Sequence, residues 1–180
     1  MLNPKLINDA LEKSAIITIN TQRQFFTDVT IDAIDKLTKQ FDRVCFVTLS
    51  KPYGTVLKNL EKGKIDVSKI FFIDTLTATV SNPPEADNCI FIETPNDLTT
   101  IALSISEAQN FGCQAVFIDA IPILKIYNDE ESLVKFVNSV MNKILVNNNK
   151  AILMLIQEDG ENAITEAIMD LSDKVIEVKK

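Results

Sequence analysis

The chain has 180 residues, 46% of them hydrophobic, so it can bury one substantial core, and one domain over residues 1–180 is expected, with an N-terminal helix over 1–13. Its net charge of -7 opposes phosphate backbones and anionic lipid, which excludes nucleic acid and membrane surfaces as expected partners. Histidine is absent, and with it go the commonest general base and the commonest metal ligand.

In chain order, short β-rich apolar runs alternate with stretches of helical spacing. The expected elements are a helix Pro4–Lys13, a strand Ser14–Asn20, a helix Thr27–Gln40, a strand Arg43–Leu49 and a helix Tyr53–Glu61. A strand Lys69–Ile73, a loop Ser81–Asn88 ("SNPPEADN"), a strand Asn88–Glu93 and a helix Asn96–Asn110 follow. A strand Gln114–Ile118, a helix Asp129–Asn147, a strand Lys150–Ile156, a helix Glu161–Leu171 and a strand Lys174–Val178 complete the chain. Most strands are apolar throughout, which predicts a three-layer α/β/α fold with a mostly parallel central sheet of about seven strands, both faces covered. In the helix after Asp129, Leu133, Val137, Val140 and Ile144 form one stripe, widened by Val134, Met141 and Leu145. Asp129, Glu130 and Glu131 suit its positive end. Pro4 and Pro52 can open helices, and Gly63 and Gly112 can stop them.

Cys45, Cys89 and Cys113 are odd in number, widely spaced and set in or beside apolar runs, as expected of buried thiols in a reducing, cytoplasmic compartment. Without a CxxC pair or histidine, zinc is not expected. The N-terminus lacks the apolar core of a secretion signal, and no segment has the length of a membrane span. Lys58, Lys62, Lys64 and Lys69 are interleaved with Glu61 and Asp66 and read as a solvated face.

The junction "AIITINTQRQFFTDVTIDAIDKL", Ala15 to Leu37, is a strand running into a helix, the place where many α/β proteins wrap phosphate. A phosphate loop needs glycines for its backbone and a lysine for the terminal phosphates. The first glycine of this chain is Gly54, and "NTQRQFFTDVT" contains no lysine. It contains Asp28 near the helix start, where a phosphate would need the same electrostatic position. Arg23 is its one cation, either an anion contact or a surface residue. Phe25 and Phe26 either fill a vacated phosphate cleft or pack into the core.

"RVCFVTLSKPYGTVLKNLEKGKIDVSKIFFID", "TPNDLTTIALSISEAQ", "AVFIDAIPILKIYNDEESLVKFVNSVMNKIL", "KAILMLI" and "LSDKVIEV" together resemble, in order and spacing, the core of the RecA/KaiC-like ATPases, a P-loop superfamily with many archaeal members implicated in signalling. The resemblance runs from Ser14 onward and implies the RecA-like P-loop NTPase fold. It places Asp119 where the Walker B aspartate helps hold magnesium, with Ala120 in place of the usual serine. Ser50 and Lys51 stand where active members carry glutamates that activate water. The resemblance therefore implies a degenerate member lacking Walker A, with a vestigial site at Thr21, Arg23, Ser50 and Asp119 and no catalytic residue. No ATP or magnesium cofactor is expected. It further implies subunit association through the nucleotide side. The expected function is thus a non-hydrolysing, protein-binding regulatory or signalling module whose partner is an active KaiC-like relative or a second copy. "AIPILKIY", Ala120 to Tyr127, is its candidate apolar contact.

Two alternatives stay open. Asp74, Glu93 and Asp119 all fall at expected carboxyl ends of strands and either share a divalent cation in a metal-dependent hydrolase or cap helices and turns. The other is a nucleotide-binding protein with a non-standard phosphate loop. "FFIDTLTAT" suggests a haloacid-dehalogenase-type nucleophile, but Leu76 occupies the position of the second acid.

Overall fold

The computed structural model describes residues 4–157 and 162–178. Seven strands form one sheet in the order β4-β3-β2-β5-β6-β1-β7, and every neighbouring pair is parallel. They are β1 (Ile16–Thr21), β2 (Val44–Thr48), β3 (Ile70–Asp74), β4 (Cys89–Phe91), β5 (Ala115–Ile118), β6 (Lys150–Ile156) and β7 (Lys174–Val178). The helices are α1 (Pro4–Lys13), α2 (Phe26–Gln40), α3 (Tyr53–Lys62), α4 (Thr77–Val80), α5 (Leu98–Asn110), α6 (Glu130–Val146) and α7 (Ala163–Asp170).

Alternation along each buried strand divides the core into two layers. Ile17, Ile19, Phe46, Phe72, Phe117 and Met154 face α1, α2 and α3. Ile16, Cys45, Val47, Val116, Leu153 and Leu155 face α5, α6 and α7. This is the expected three-layer arrangement, with both faces of the sheet covered. In α2 the buried set Phe26, Val29, Thr30, Ala33, Ile34, Leu37 and Thr38 follows helical spacing. In α6 the stripe of Leu133, Val137, Val140 and Ile144 is buried and is widened by Met141 and the partly buried Val134, as expected, but Phe136 joins it and Leu145 is exposed.

Element ends are set by caps. Asp97 accepts from Thr100 N–H, so α5 begins at Leu98 rather than Asn96. Asp129 does the same through Ser132 N–H for α6, and Asn162 through Ile164 and Thr165 for α7. Glu161, the expected first residue of the last helix, lies outside the described residues. β4 is shorter than expected, and the single turn α4 was not foreseen. Cys45 and Cys113 are buried, but Cys89, on the edge strand β4, is only half-buried. Among the described residues no helix is long and apolar enough to cross a membrane.

Chain winding positions the site. α2 and α3 carry the chain across one face from β1 to β2 and β3, whereas α5, α6 and α7 bring it back across the other. Neighbours β2 and β5 therefore send their chains to opposite faces, which makes their carboxyl ends a topological switch point.

The two expected helix stops work by different means. Gly112 has φ +95, and Cys113 N–H reaches back to Ala108 O, a left-handed stop that glycine favours. Gly63 has φ −72, and the left-handed residue is Lys64. What Gly63 supplies is space, because a Cβ there would stand 2.7 Å from Ile31 Cγ2 and 3.3 Å from Leu60 O. Gly63→Ala is accordingly expected to lower stability by about 1–3 kcal/mol in urea denaturation, and Ile31→Ala in the same chain to recover part of the loss. Two losses that simply add would contradict the steric account.

Candidate functional site

Between β1 and α2 the connection is very short. Gln22 is extended (φ −70, ψ 146), and a 3-10 turn over Arg23–Phe25 leads directly into α2. Phe25 N–H donates to Gln22 O at 2.9 Å, and Phe26 N–H to Arg23 O. These amides are thus turned onto the chain's own carbonyls. The positive-φ residues among those described are Lys64, Gly112, Ala120 and Asn148, none of them in this turn. No side chain caps α2, and Asp28 in its first turn is exposed. Phe26 is buried in the core, with Phe25 packed against it.

At the switch point, β5 ends and Asp119 follows. Its N–H donates to Val47 O at 3.2 Å. Its Oδ1 accepts from Leu49 N–H at 2.5 Å and from Ser50 N–H at 3.1 Å, and its Oδ2 accepts from Ser50 Oγ at 2.6 Å. Asp119 is 2% exposed, and Ala120 next to it is left-handed at φ 49, ψ 53. Lys51 Nζ crosses to Thr27 Oγ1 of α2 at 2.7 Å, while Thr48 Oγ1 donates to Lys51 O. Burial pushes the Asp119 carboxyl up to about 6, opposed by the Ser50 hydroxyl, the Leu49 and Ser50 amides and the Lys51 charge. The partly open cleft lined by Phe26, Thr27, Lys51 and Asp119 between α2 and α3 measures about 20 Å³. That is room for about one water.

Of the four residues expected at a vestigial site, Ser50 and Asp119 come together. Thr21 is fully buried and faces its own turn through a 3.5 Å contact from Oγ1 to Gln22 O. Arg23 is exposed and lines an open depression with Gln22, Gln24 and Gln157. The Lys51–Thr27 bridge and the Leu49 amide were not foreseen, since neither shows in a local pattern.

The expected alternative of a shared cation on Asp74, Glu93 and Asp119 is corrected by the geometry. Asp74 is fully buried and spends its carboxylate on Tyr53 N–H (2.5 Å), Leu76 N–H (2.6 Å), Thr77 N–H (2.8 Å) and Thr77 Oγ1 (2.5 Å). It thereby starts both α3 and α4. Glu93 is exposed, and Asp119 is committed to Leu49 and Ser50. Among the described residues no group of three such side chains could hold a metal ion. A thiol nucleophile is disfavoured as well, because burial pushes Cys45 and Cys113 up and Cys89 to about 12.

These assignments separate two aspartates by experiment. Asp74→Ala leaves three amides and a hydroxyl without an acceptor and is expected to cost about 3–5 kcal/mol in urea denaturation. Asp119→Asn keeps the Oδ1 acceptor, and the Ser50 hydroxyl can turn to accept from the new amide. Because the folded carboxyl titrates near 6 and the unfolded one near 3.8, its contribution is fully present below 3.8 and is lost as pH rises through 6. Relative to the parent, Asp119→Asn should therefore gain on the order of 2–3 kcal/mol between acid and neutral pH. A difference that does not change with pH would refute the assignment.

The comparisons agree with this architecture. Among solved structures, the KaiC-like protein of the hyperthermophilic archaeon Pyrococcus horikoshii OT3 superposes with a TM-score of 0.66 at 13% identity, over 92% of this chain and 72% of that one. The fold is therefore RecA/KaiC-like. No curated protein matches the sequence. Residues 24–180 match DUF7090, and the chain belongs to that family of unknown function.

Proposed function

We propose that this chain is a RecA/KaiC-like domain without a working Walker A loop, one that does not turn over ATP and acts by binding protein in a regulatory or signalling assembly. The observation that carries the reading is the 20 Å³ cleft where Phe26, Thr27, Lys51 and Asp119 meet. Phosphate recognition needs several convergent amides, and the amides of Phe25 and Phe26 already bond within their turn. Asp119, the counterpart of the magnesium aspartate, is likewise occupied by Leu49 and Ser50. Ser50 and Lys51 stand in place of the glutamates that would serve as a base for water.

Protein binding draws support from the segment after Asp119. Ala120, Ile121, Pro122 and Leu124 are buried, whereas Ile126 is 74% exposed and Tyr127 47%. The partner in this reading is an active KaiC-like relative or a second copy, in a cytoplasmic setting.

Calorimetry with ATP and ADP in the presence of magnesium, together with a phosphate-release assay, tests the first half. No saturable heat is expected up to about 1 mM nucleotide, and no turnover; micromolar affinity would overturn the proposal. Light scattering across concentration tests the self-pairing form. Ile126→Asp is expected to weaken such a dimer by about tenfold or more, and a dimer indifferent to Ile126 and Tyr127 would remove this surface from the proposal.

A further inference from the structure

At the other end of the strands from Asp119, a cavity of about 210 Å³ opens at the amino edge of the sheet, between the starts of β2 and β3 and the C-terminal end of α5. Its walls set two cations, Arg43 and Lys69, beside two aromatic rings, Phe71 and Phe111. The five residues of β2 separate it from the Asp119 site by roughly 16 Å.

Both cations are anchored at helix ends, where carbonyls and the negative end of the dipole favour them. Arg43 Nη1 donates to Phe111 O at 2.8 Å, and Lys69 Nζ donates to Thr38 O at 2.8 Å. Each anchor uses one donor, and a guanidinium has five while an ammonium has three. Among the described residues no carboxylate lies within ion-pair distance of either cation. Asp66 feels the charge of Lys69 from beyond ion-pair distance, and its Oδ1 accepts from Ser68 N–H and Oγ.

Of the other polar wall residues, Asn88 is used internally, donating to Ile70 O and accepting from Tyr53 Oη, and Ser68 Oγ donates to Asp66. Apart from the Asp87 carboxylate and the Ser68 hydroxyl, the hydrogen-bonding capacity left at this wall is the remaining donors of Arg43 and Lys69. Phe111 stands 71% exposed just before the left-handed Gly112 and offers its ring at the mouth of the cavity. Asp87 at the wall leaves a local balance of one positive charge, which suits a monoanion over a dianion. The volume lies below the roughly 300–1,000 Å³ of drug-sized sites, so the occupant is small.

We propose that this amino-edge cavity binds a small aromatic monocarboxylate, with the carboxylate between Arg43 and Lys69 and the ring between Phe71 and Phe111. The inference is independent of the reading of the carboxyl edge, since no residue is shared between the two.

Titrating the full isotope-labelled chain with phenylacetate, followed by amide chemical shifts, tests it. Saturable shifts confined to the starts of β2 and β3 and the end of α5 are expected. Phenylacetate should bind about tenfold tighter than acetate, which lacks the ring, or benzyl alcohol, which lacks the charge. Arg43→Gln and Phe111→Ser, both at exposed positions, should each weaken it about tenfold. Absence of saturation, shifts centred elsewhere, tighter binding of inorganic phosphate, or unchanged affinity in both variants would each overturn the proposal.

Discussion

The carboxylate of Asp119, tied to the amides of Leu49 and Ser50, holds together the place where this sheet reverses its winding. β5 ends at Ile118, so the chain leaving β2 has no strand beside it to pair with its next two N–H groups. A buried amide left without an acceptor costs about 1–3 kcal/mol, and here the Leu49 amide is buried and the Ser50 amide partly so. Asp119 answers both at the expense of a carboxyl group placed in the interior and pushed up to about 6. The left-handed Ala120 that follows turns the chain to the other face. With the Leu49–Ser50 turn held down, Lys51, just before α3, is placed to reach Thr27 in the first turn of α2.

A similar solution recurs along the carboxyl edge. Asp74 feeds the first amides of α3 and α4, Asp97 caps α5, Asp129 caps α6 and Asn162 caps α7. Helix α2 departs from that pattern. Its N-terminus has no capping side chain and tightens into a 3-10 turn that bonds the Phe25 and Phe26 amides internally. In α/β folds that bind phosphate at such a strand-to-helix junction, the ligand itself answers the first amides of the helix. Here Phe26 turns into the core beneath them, so the space and the donors are spent together.

Much of the fold was legible because parallel strands covered on both faces leave continuous apolar runs. β6 and β7 occupy the bounds their sequences suggest, Lys150–Ile156 and Lys174–Val178. Thr77–Val80 was not legible, since four residues carry no period and the turn exists through the Asp74 carboxylate. For the site, sequence places Asp74, Glu93 and Asp119 near strand ends but does not reveal where their oxygens point. The deciding contacts of Asp119 lie about seventy positions away, at Leu49 and Ser50, and no local spacing encodes them. Gly63 teaches the same lesson, because its neighbour Ile31 belongs to another helix.

Recognition of a charged ligand draws on hydrogen-bond donors that folding has not already used. At the carboxyl edge the Phe25, Phe26, Leu49 and Ser50 amides all have partners in the chain, and Lys51 has Thr27. A ligand there would have to displace bonds of comparable strength and open a cleft now fit for about one water. At the amino edge Arg43 and Lys69 are fixed by one carbonyl each and face no carboxylate within ion-pair distance among the described residues. Such anchoring lowers the entropy lost when an anion arrives and leaves most of the donors for it. In a chain of net charge -7, two such cations at one cavity place its recognition capacity opposite the edge where α/β sheets ordinarily hold their ligands.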